Sequence, residues 1–377
     1  MERYLSHHIL SDLDNKIVLL SGPRQVGKTT LAKQLFDAHD YLNFDAVEDR
    51  LQLQKKQWDR TKDLIIFDEL HKKQDWKQWL KGIYDTEGIP PKLLVTGSAR
   101  MDTHQKVGDS LAGRYFQHRL HPFDLKEALP LKEWDMETCF NQLWHCSGFP
   151  EPFLKGDPAY YKRWRRSHLN IILRQDLIDM NTVSDIQSIE TLVAMLKKRI
   201  GGTVSYANLA RDLGRDINTI KRWLLLLENL YIIFRVTPYH KNVARALMKE
   251  PKFYFYDWTY AEDDGARLEN MVASALLKEL NYLTDTRGIE AMLHFVRTKE
   301  GKELDFLIVQ DEKPTHLIEV KTSDSDPSPH FKHFAKFFPG VDNIQLVRHL
   351  KREFTCPEGL AVRALLPWLA EMPWIPE

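Results

Sequence analysis

Nine consecutive residues, Gly22, Pro23, Arg24, Gln25, Val26, Gly27, Lys28, Thr29 and Thr30, satisfy the spacing GxxxxGK[ST] between an apolar strand-like run and a helix-compatible segment. Glycines here let backbone amides turn inward around phosphate oxygens, and the start of the next helix adds its positive dipole end. Lys28 then reaches the terminal phosphates and Thr29 ligates magnesium, so ATP and Mg2+ are the expected cofactors. A chance glycine-rich turn is the bland alternative, and the strand-loop-helix context argues against it.

A second element follows in LIIFDEL, where an apolar run delivers Asp68 and Glu69 to its C-terminal end. Asp68 is expected to hold the magnesium, directly or through water, and Glu69 to orient or deprotonate the attacking water. Alone, the pair reads equally well as a solvated strand end; with the phosphate loop upstream, the catalytic reading dominates. KLLVTGSAR puts Thr96 and Ser98 at a third strand end, where a polar side chain can sense the γ-phosphate. Arg100 and Arg114 are candidate arginine fingers, acting within the chain or from a neighbouring subunit, although such arginines are more often surface residues.

Nearer the C-terminus stand Glu269 on a helix, Asp305 in ELDF, and Glu319 and Lys321 in IEVK. This is the order and approximate spacing of a PD-(D/E)XK nuclease core. There, Asp305 and Glu319 on adjacent strands would ligate magnesium, and Lys321, on the same face as Glu319, would position the attacking water. An ExK ending an apolar strand also arises by simple alternation, and such folds often serve only as binding platforms.

The elements that must carry these groups follow from pattern. From Lys16 to about Leu125, KIVLLSG, YLNFD, DLIIFDEL and KLLVTGS read as buried parallel strands alternating with amphipathic segments. Residues 126–196 turn helical and rich in tryptophan and basic residues, interrupted by SGFPEPF, and read as a lid or connector. Residues 197–250 give a short helix, a turn containing Gly214, a second helix and an apolar strand, a winged helix-turn-helix pattern. Residues 251–377 form a second α/β section with strands in PKFYFYDW, HFVR, ELDFLIV and THLIEVK.

Asn218, Lys221 and Arg222 fall in the N-terminal half of the second of those helices, where groove contacts are made, and Lys241, Arg245, Lys249 and Lys252 suit phosphate contacts from a wing. YYKRWRRSH, from Tyr160 to His168, interleaves cations with aromatics that can stack bases, or is simply a solvated helix face. Winged helices also serve as protein-contact modules, so a protein partner stands beside DNA.

Lys plus Arg and Asp plus Glu both number 53 in this chain of 377 residues, so nucleic-acid affinity must come from local patches rather than the overall field. Three cysteines without CxxC spacing fit a reduced cytoplasm. No apolar run approaches membrane-spanning length, and a cytoplasmic protein without membrane contact is expected.

Together GPRQVGKTT, FDEL, TGSAR, LAGR before HPFDLKE, SGFPEPF, LARDLG, LENLYII, PKFYFYD, LEN at Leu268, ELDFLI and IEVK resemble a bacterial and archaeal family of AAA ATPases. Its members carry a C-terminal domain long labelled as of unknown function. The resemblance spans nearly the whole chain. It implies an α/β architecture of a P-loop AAA ATPase core over 1–125, a winged-helix middle domain, and a restriction-endonuclease-like C-terminal domain. Ser147 departs from the family's Gly-Gly-Phe/Tyr-Pro pattern. The expected function is ATP-driven remodelling or translocation of DNA by a homo-oligomer, with an ATP-gated nuclease or a nucleotide-dependent protein-binding switch as alternatives.

Overall fold

The computed structural model describes residues 2–101, 111–176, 185–240, 249–323 and 326–372. The chain divides into two compact units, the first holding Met1–Pro122 together with Asn229–Tyr231, the second most of the remainder from Phe123 onward.

The first unit contains α1 (Ser6–Leu13), β1 (Ile17–Ser21), α2 (Lys28–Gln34), β2 (His39–Asn43), α3 (Val47–Lys55), β3 (Leu64–Asp68), α4 (Trp76–Glu87), β4 (Lys92–Gly97) and β5 (Tyr115–Arg119). Its strands pair in parallel in the order β2-β3-β4-β1-β5. Every residue of β1 and β3 is buried, as a parallel strand covered on both faces must be. Ile17, Leu19, Ile65, Phe67 and Val95 pack with Leu80 and Ile83 of α4 into one core cluster, in which Phe67 meets Trp58 and Trp79 edge to face. The fifth strand, YFQHR, has no continuous apolar run because it lies at an edge and is only partly covered, so hydropathy did not mark it.

The second unit opens with helices α5 (Leu125–Ala128), α6 (Met136–Cys146), α7 (Pro150–Lys155) and α8 (Pro158–Ile171), followed by α9 (Ile186–Lys197), α10 (Tyr206–Leu213) and α11 (Ile217–Asn229). Ser205 caps α10 through its hydroxyl, Gly214 ends it at φ +61°, and Asp216 accepts the Thr219 amide at the start of α11. Strands β6 (Ile233–Pro238) and β7 (Lys252–Phe255), the long helix α12 (Asp264–Arg287), β8 (Ala291–Arg297), β9 (Glu303–Gln310), β10 (Lys313–Lys321), α13 (Pro329–Phe334), β11 (Asp342–Val347), β12 (Phe354–Thr355), β13 (Leu360–Ala364) and α14 (Leu365–Ala370) complete it.

These strands form one eight-stranded mixed sheet, β12-β13-β11-β10-β9-β8-β6-β7. β6 pairs antiparallel with β7 and parallel with β8. A division at residues 250 and 251 therefore passes between two paired strands of the same sheet, and most of the stretches separated as 126–196, 197–250 and 251–377 shares one compact unit. Composition cannot reveal that pairing, because it depends on partners distant in sequence.

SGFPEPF marks a tight packing point. Gly148 is required because a Cβ there would stand 2.1 Å from the Phe123 carbonyl oxygen and 2.6 Å from the Trp258 ring. Ser147 sits at φ +66°, ψ 174°, a conformation essentially reserved for glycine, and its fully buried hydroxyl has no hydrogen-bond partner among the described residues. Ser147→Gly is expected to relieve both penalties and stabilise the protein by about 1 kcal/mol after the added chain entropy of glycine is subtracted. Thermal melting of the variant checks this, and an unchanged or lower Tm would contradict it.

Candidate functional site

Parallel register gathers the nucleotide residues at one edge. Ser21 lies beside Gly97, and Asp68 beside both Thr96 and Asn43, so the C-terminal ends of β1, β3, β4 and β2 coincide. The loop leaving β1 turns through Gly22 at φ +153°, Gln25 at +61° and Gly27 at +98° before α2 begins at Lys28. A Cβ on Gly22 would stand 2.3 Å from the Leu120 carbonyl oxygen, so only glycine fits where the loop leaves the strand. The buried Lys28 folds its Nζ into the loop, 2.9 Å from the Gly22 and 2.8 Å from the Pro23 carbonyl oxygens.

Asp68 is the convergence point. Its Oδ2 accepts from Thr29 Oγ1 at 2.9 Å and from the Tyr41 hydroxyl at 2.6 Å, and its Oδ1 accepts from Thr96 Oγ1. Burial, with the Asp68 hydrogen bond and charge, raises the Tyr41 phenol far above its ordinary range, so it stays a donor. Glu69, at φ +54°, accepts from Ser98 Oγ at 3.1 Å, and His71 Nδ1 lies 3.6 Å away. Burial is the main cause that lowers the His71 pKa, keeping the ring neutral beside Glu69. The oxygen set of Thr29 and Asp68 suits a hard divalent cation, and the cradle from Gly22 to Thr30 suits phosphates.

Three contributors were not legible in the sequence. Tyr41 comes from a partly covered edge strand. Arg3, buried near the N-terminus, donates from Nη1 to the Val26 carbonyl at 3.0 Å and from Nη2 to that of His121 at 2.7 Å, pinning the phosphate loop from behind. His71 had no motif to mark it.

The two candidate fingers part company. The Arg100 guanidinium lies 5.7 Å from the ring centre of Tyr231 in the same unit, beyond the end of β4. Arg114 precedes β5, at the opposite edge where strands begin, and its Nε donates to Asp85 at 2.7 Å. It is therefore not a finger for the site of its own chain, since a full strand length separates it from the phosphate loop.

In the second unit Glu269, Asp305, Glu319 and Lys321 are brought to one place by α12, β9 and β10. The antiparallel register pairing Leu317 with Leu307 and Ile318 with Phe306 carries Asp305 toward Glu319, and Asp305 Oδ2 accepts the Val320 amide at 2.8 Å. Lys321 Nζ pairs with Glu319 Oε1 at 2.6 Å, whereas Glu319 Oε2 is buried with no hydrogen-bond partner among the described residues. Burial, then the Glu319 charge, raises Asp305 to about 7. Burial, then the Asp305 charge, raises Glu269 to about 7. Glu319 is also raised, by burial above all.

Lys252, expected as an exposed wing residue, is instead 1% exposed and inserted into this cluster. It pairs with Glu269 at 3.0 Å and with Glu303 at 2.7 Å, because a buried ammonium must be surrounded by carboxylates. Among the described residues no group of three or more His, Cys, Asp or Glu is arranged to hold a metal ion. Asp305 and the unpartnered Glu319 oxygen nevertheless fit as two oxygen donors for a hard cation.

On α11, Asn218, Lys221 and Arg222 are exposed on one face, as spacings of three and four dictate. Lys241 and Arg245 lie outside the described residues. On α8 most of the interleaved aromatics do not face solvent: Tyr161, Trp164 and His168 are buried, Trp164 and His168 stacking at 4.5 Å, while Tyr160 is partly exposed and Lys162, Arg163 and Arg166 are exposed. Three of the four rings of that run fill the core, which leaves only Tyr160 partly exposed for stacking.

Residues 14–129 match a family described as an AAA domain. Residues 137–261 and 264–359 match two families each described as a domain of unknown function, DUF8612 and DUF4143. The chain is 27% identical over 324 residues to the uncharacterized protein Rv2008c of Mycobacterium tuberculosis, covering 83% of this chain and 71% of that one. It is 23% identical over 374 residues to the uncharacterized protein MJ1544 of Methanocaldococcus jannaschii, covering 89% and 82%. Among solved structures, a point variant of RuvB from Thermotoga maritima aligns over 62% of this chain and 88% of its own, at 17% identity and TM-score 0.34. A STAND protein with a tetratricopeptide repeat sensor from Pyrococcus horikoshii aligns over 76% and 48%, at 14% and 0.25. Superpositions as partial as these carry no functional weight. Residues 14–129 are thus similar to an AAA domain and carry the phosphate-loop pattern, and no described helix is long and apolar enough to cross a membrane.

The raised carboxyls make stability pH-dependent. Burial and the Glu319 charge hold the folded Asp305 well above its ordinary value of 3.8, so folding binds its proton more tightly and stability falls as pH rises from that value through the raised one. Asp305→Asn is therefore expected to raise Tm more at pH 8 than at pH 5 in chelator. Equal shifts at both pH values would refute that linkage.

Proposed function

We propose that this chain hydrolyses ATP and couples turnover to DNA bound by its second unit. The observation that carries the hydrolase reading is the convergence of Thr29, Tyr41 and Thr96 on Asp68 beside Glu69, at the edge bearing the phosphate loop. In this reading the Gly22 to Thr30 backbone and Lys28 bind the phosphates, while Thr29 and Asp68 would hold magnesium, which neutralises phosphate charge. Glu69, oriented by Ser98, accepts the proton of the attacking water, and Arg100 stands at the same end of the sheet. Arg114 is left to serve a neighbouring copy, consistent with a homo-oligomer.

Support for DNA comes from α9, α10, α11 and the β6–β7 pair, with an isolated bridge from Thr203 to Lys252, an arrangement that fits a winged helix-turn-helix. Its second helix offers Asn218, Lys221 and Arg222 to a groove. A second reading, a magnesium-dependent nuclease on a restriction-endonuclease-like fold, is favoured by the buried Glu319 oxygen that has no partner among the described residues, on the strand beside Asp305 and with Lys321 on the other oxygen.

Steady-state ATPase rates without nucleic acid and with single strands, duplex or a four-way junction test the proposal, with Lys28→Ala as blank. Stimulation by one of these is expected. Glu69→Gln should retain ATP but turn over roughly 100-fold or more slowly, and Lys221→Ala with Arg222→Ala should lower the stimulated rate. Hydrolysis indifferent to every nucleic acid would sink the DNA half and point to a protein partner. For the second reading, magnesium-dependent nicking must vanish in Lys321→Ala.

A further inference from the structure

The acidic cluster of the second unit contains a cation of its own. Lys252 and Tyr254 stand two residues apart on β7 and so share a face. Both reach Glu269 Oε1, the ammonium at 3.0 Å and the phenol at 2.5 Å. Gly201, at φ +79°, closes the other side, since a Cβ there would stand 2.9 Å from Glu269 Oε2. Glu303, one strand over, takes Lys252 on Oε1 at 2.7 Å and Arg297 on Oε2 at 3.3 Å. Glu269 and Glu303 are thus neutralised by side chains.

Asp305 and Glu319 are treated differently. Asp305 takes only the Val320 amide among the hydrogen bonds of the described residues, and Glu319 takes Lys321 on one oxygen and nothing on the other. Among the described residues four carboxylates face three cations, so the cluster keeps a negative balance, and the oxygens left without an ion-pair partner are those of Asp305 and Glu319 Oε2. A pair of divalent ions would require an oxygen of Glu269 that already serves Lys252 and Tyr254.

We propose that Lys252 is a built-in cation that limits this cluster to a single divalent ion, held between Asp305 and Glu319. The inference rests on the metal-dependent reading of the cluster given above and specifies how many ions it takes. Lys252 acts by occupying Glu269 and Glu303, so it is a positioning and specificity residue rather than a group that touches substrate.

The test is Mn2+ binding to the full nucleotide-free chain, followed by electron paramagnetic resonance. A Thr29→Ala background removes the hydroxyl ligand of the phosphate loop. Asp305→Asn is expected to abolish one ion per chain, weakening its binding at least roughly tenfold, whereas Glu269→Gln shifts it by less than about threefold. Lys252→Met should add a second ion; if that variant does not fold, the comparison of Asp305→Asn with Glu269→Gln decides. Loss of two ions in Asp305→Asn, or loss of binding in Glu269→Gln, overturns the single-ion assignment while leaving the metal-dependent reading intact. No ion sensitive to Asp305→Asn overturns both.

Discussion

A buried carboxylate needs partners, and in the first unit that carboxylate is Asp68. It is only 5% exposed, so leaving its oxygens unpaired would cost several kcal/mol in place of the hydrogen bonds it makes. The partners come from α2, β2 and β4, three segments that can meet only if β3 lies between β2 and β4 in parallel register. The position of Thr29, and hence of the phosphate loop relative to Glu69, is tied to the same requirement. Strand order, loop conformation and the chemistry at the sheet edge are one problem with one solution.

The second unit repeats the constraint with the opposite charge. Lys252 is buried on β7, and its counterions lie on α12 and β9, segments separated from it by 17 and 51 residues of sequence. Pairing of β6 with β7 and of β6 with β8 brings the helix-rich middle of the chain into the same sheet as the acidic cluster. A separate Lys278, also buried, is answered in the same manner by Asp124 at 2.9 Å and Glu127 at 2.6 Å. Charge pairing of this kind gives little net stability but penalises alternative packings heavily, because each leaves an ion unpaired.

The phosphate loop, Asp68 with Glu69, and Asp305 with Glu319 and Lys321 were legible in the sequence because each is a local pattern: a spacing, or a polar pair ending an apolar run. The strands IVLLS and LIIFD were legible for a related reason, since burial on both faces leaves no polar position within them. YFQHR was not, because an edge strand keeps polar residues. Cations were read least well. Lys252 in PKFYFYD resembles any surface lysine, and Arg114 in LAGR any residue near a strand.

What the sequence determined by itself was therefore the set of candidate groups: a GxxxxGK[ST] loop, an Asp-Glu pair ending an apolar strand, and a second set of carboxylates with a lysine. What only the tertiary structure decided was which charges meet. Register placed Arg114 at the far edge from the phosphate loop, brought Tyr41 onto Asp68 and buried Lys252 among carboxylates, while packing turned Tyr161, Trp164 and His168 of α8 inward. The physical reason is range. Periodicity and motif spacing record what a residue does with its neighbours in the chain, while ion pairing and burial depend on segments that only the sheet order brings together.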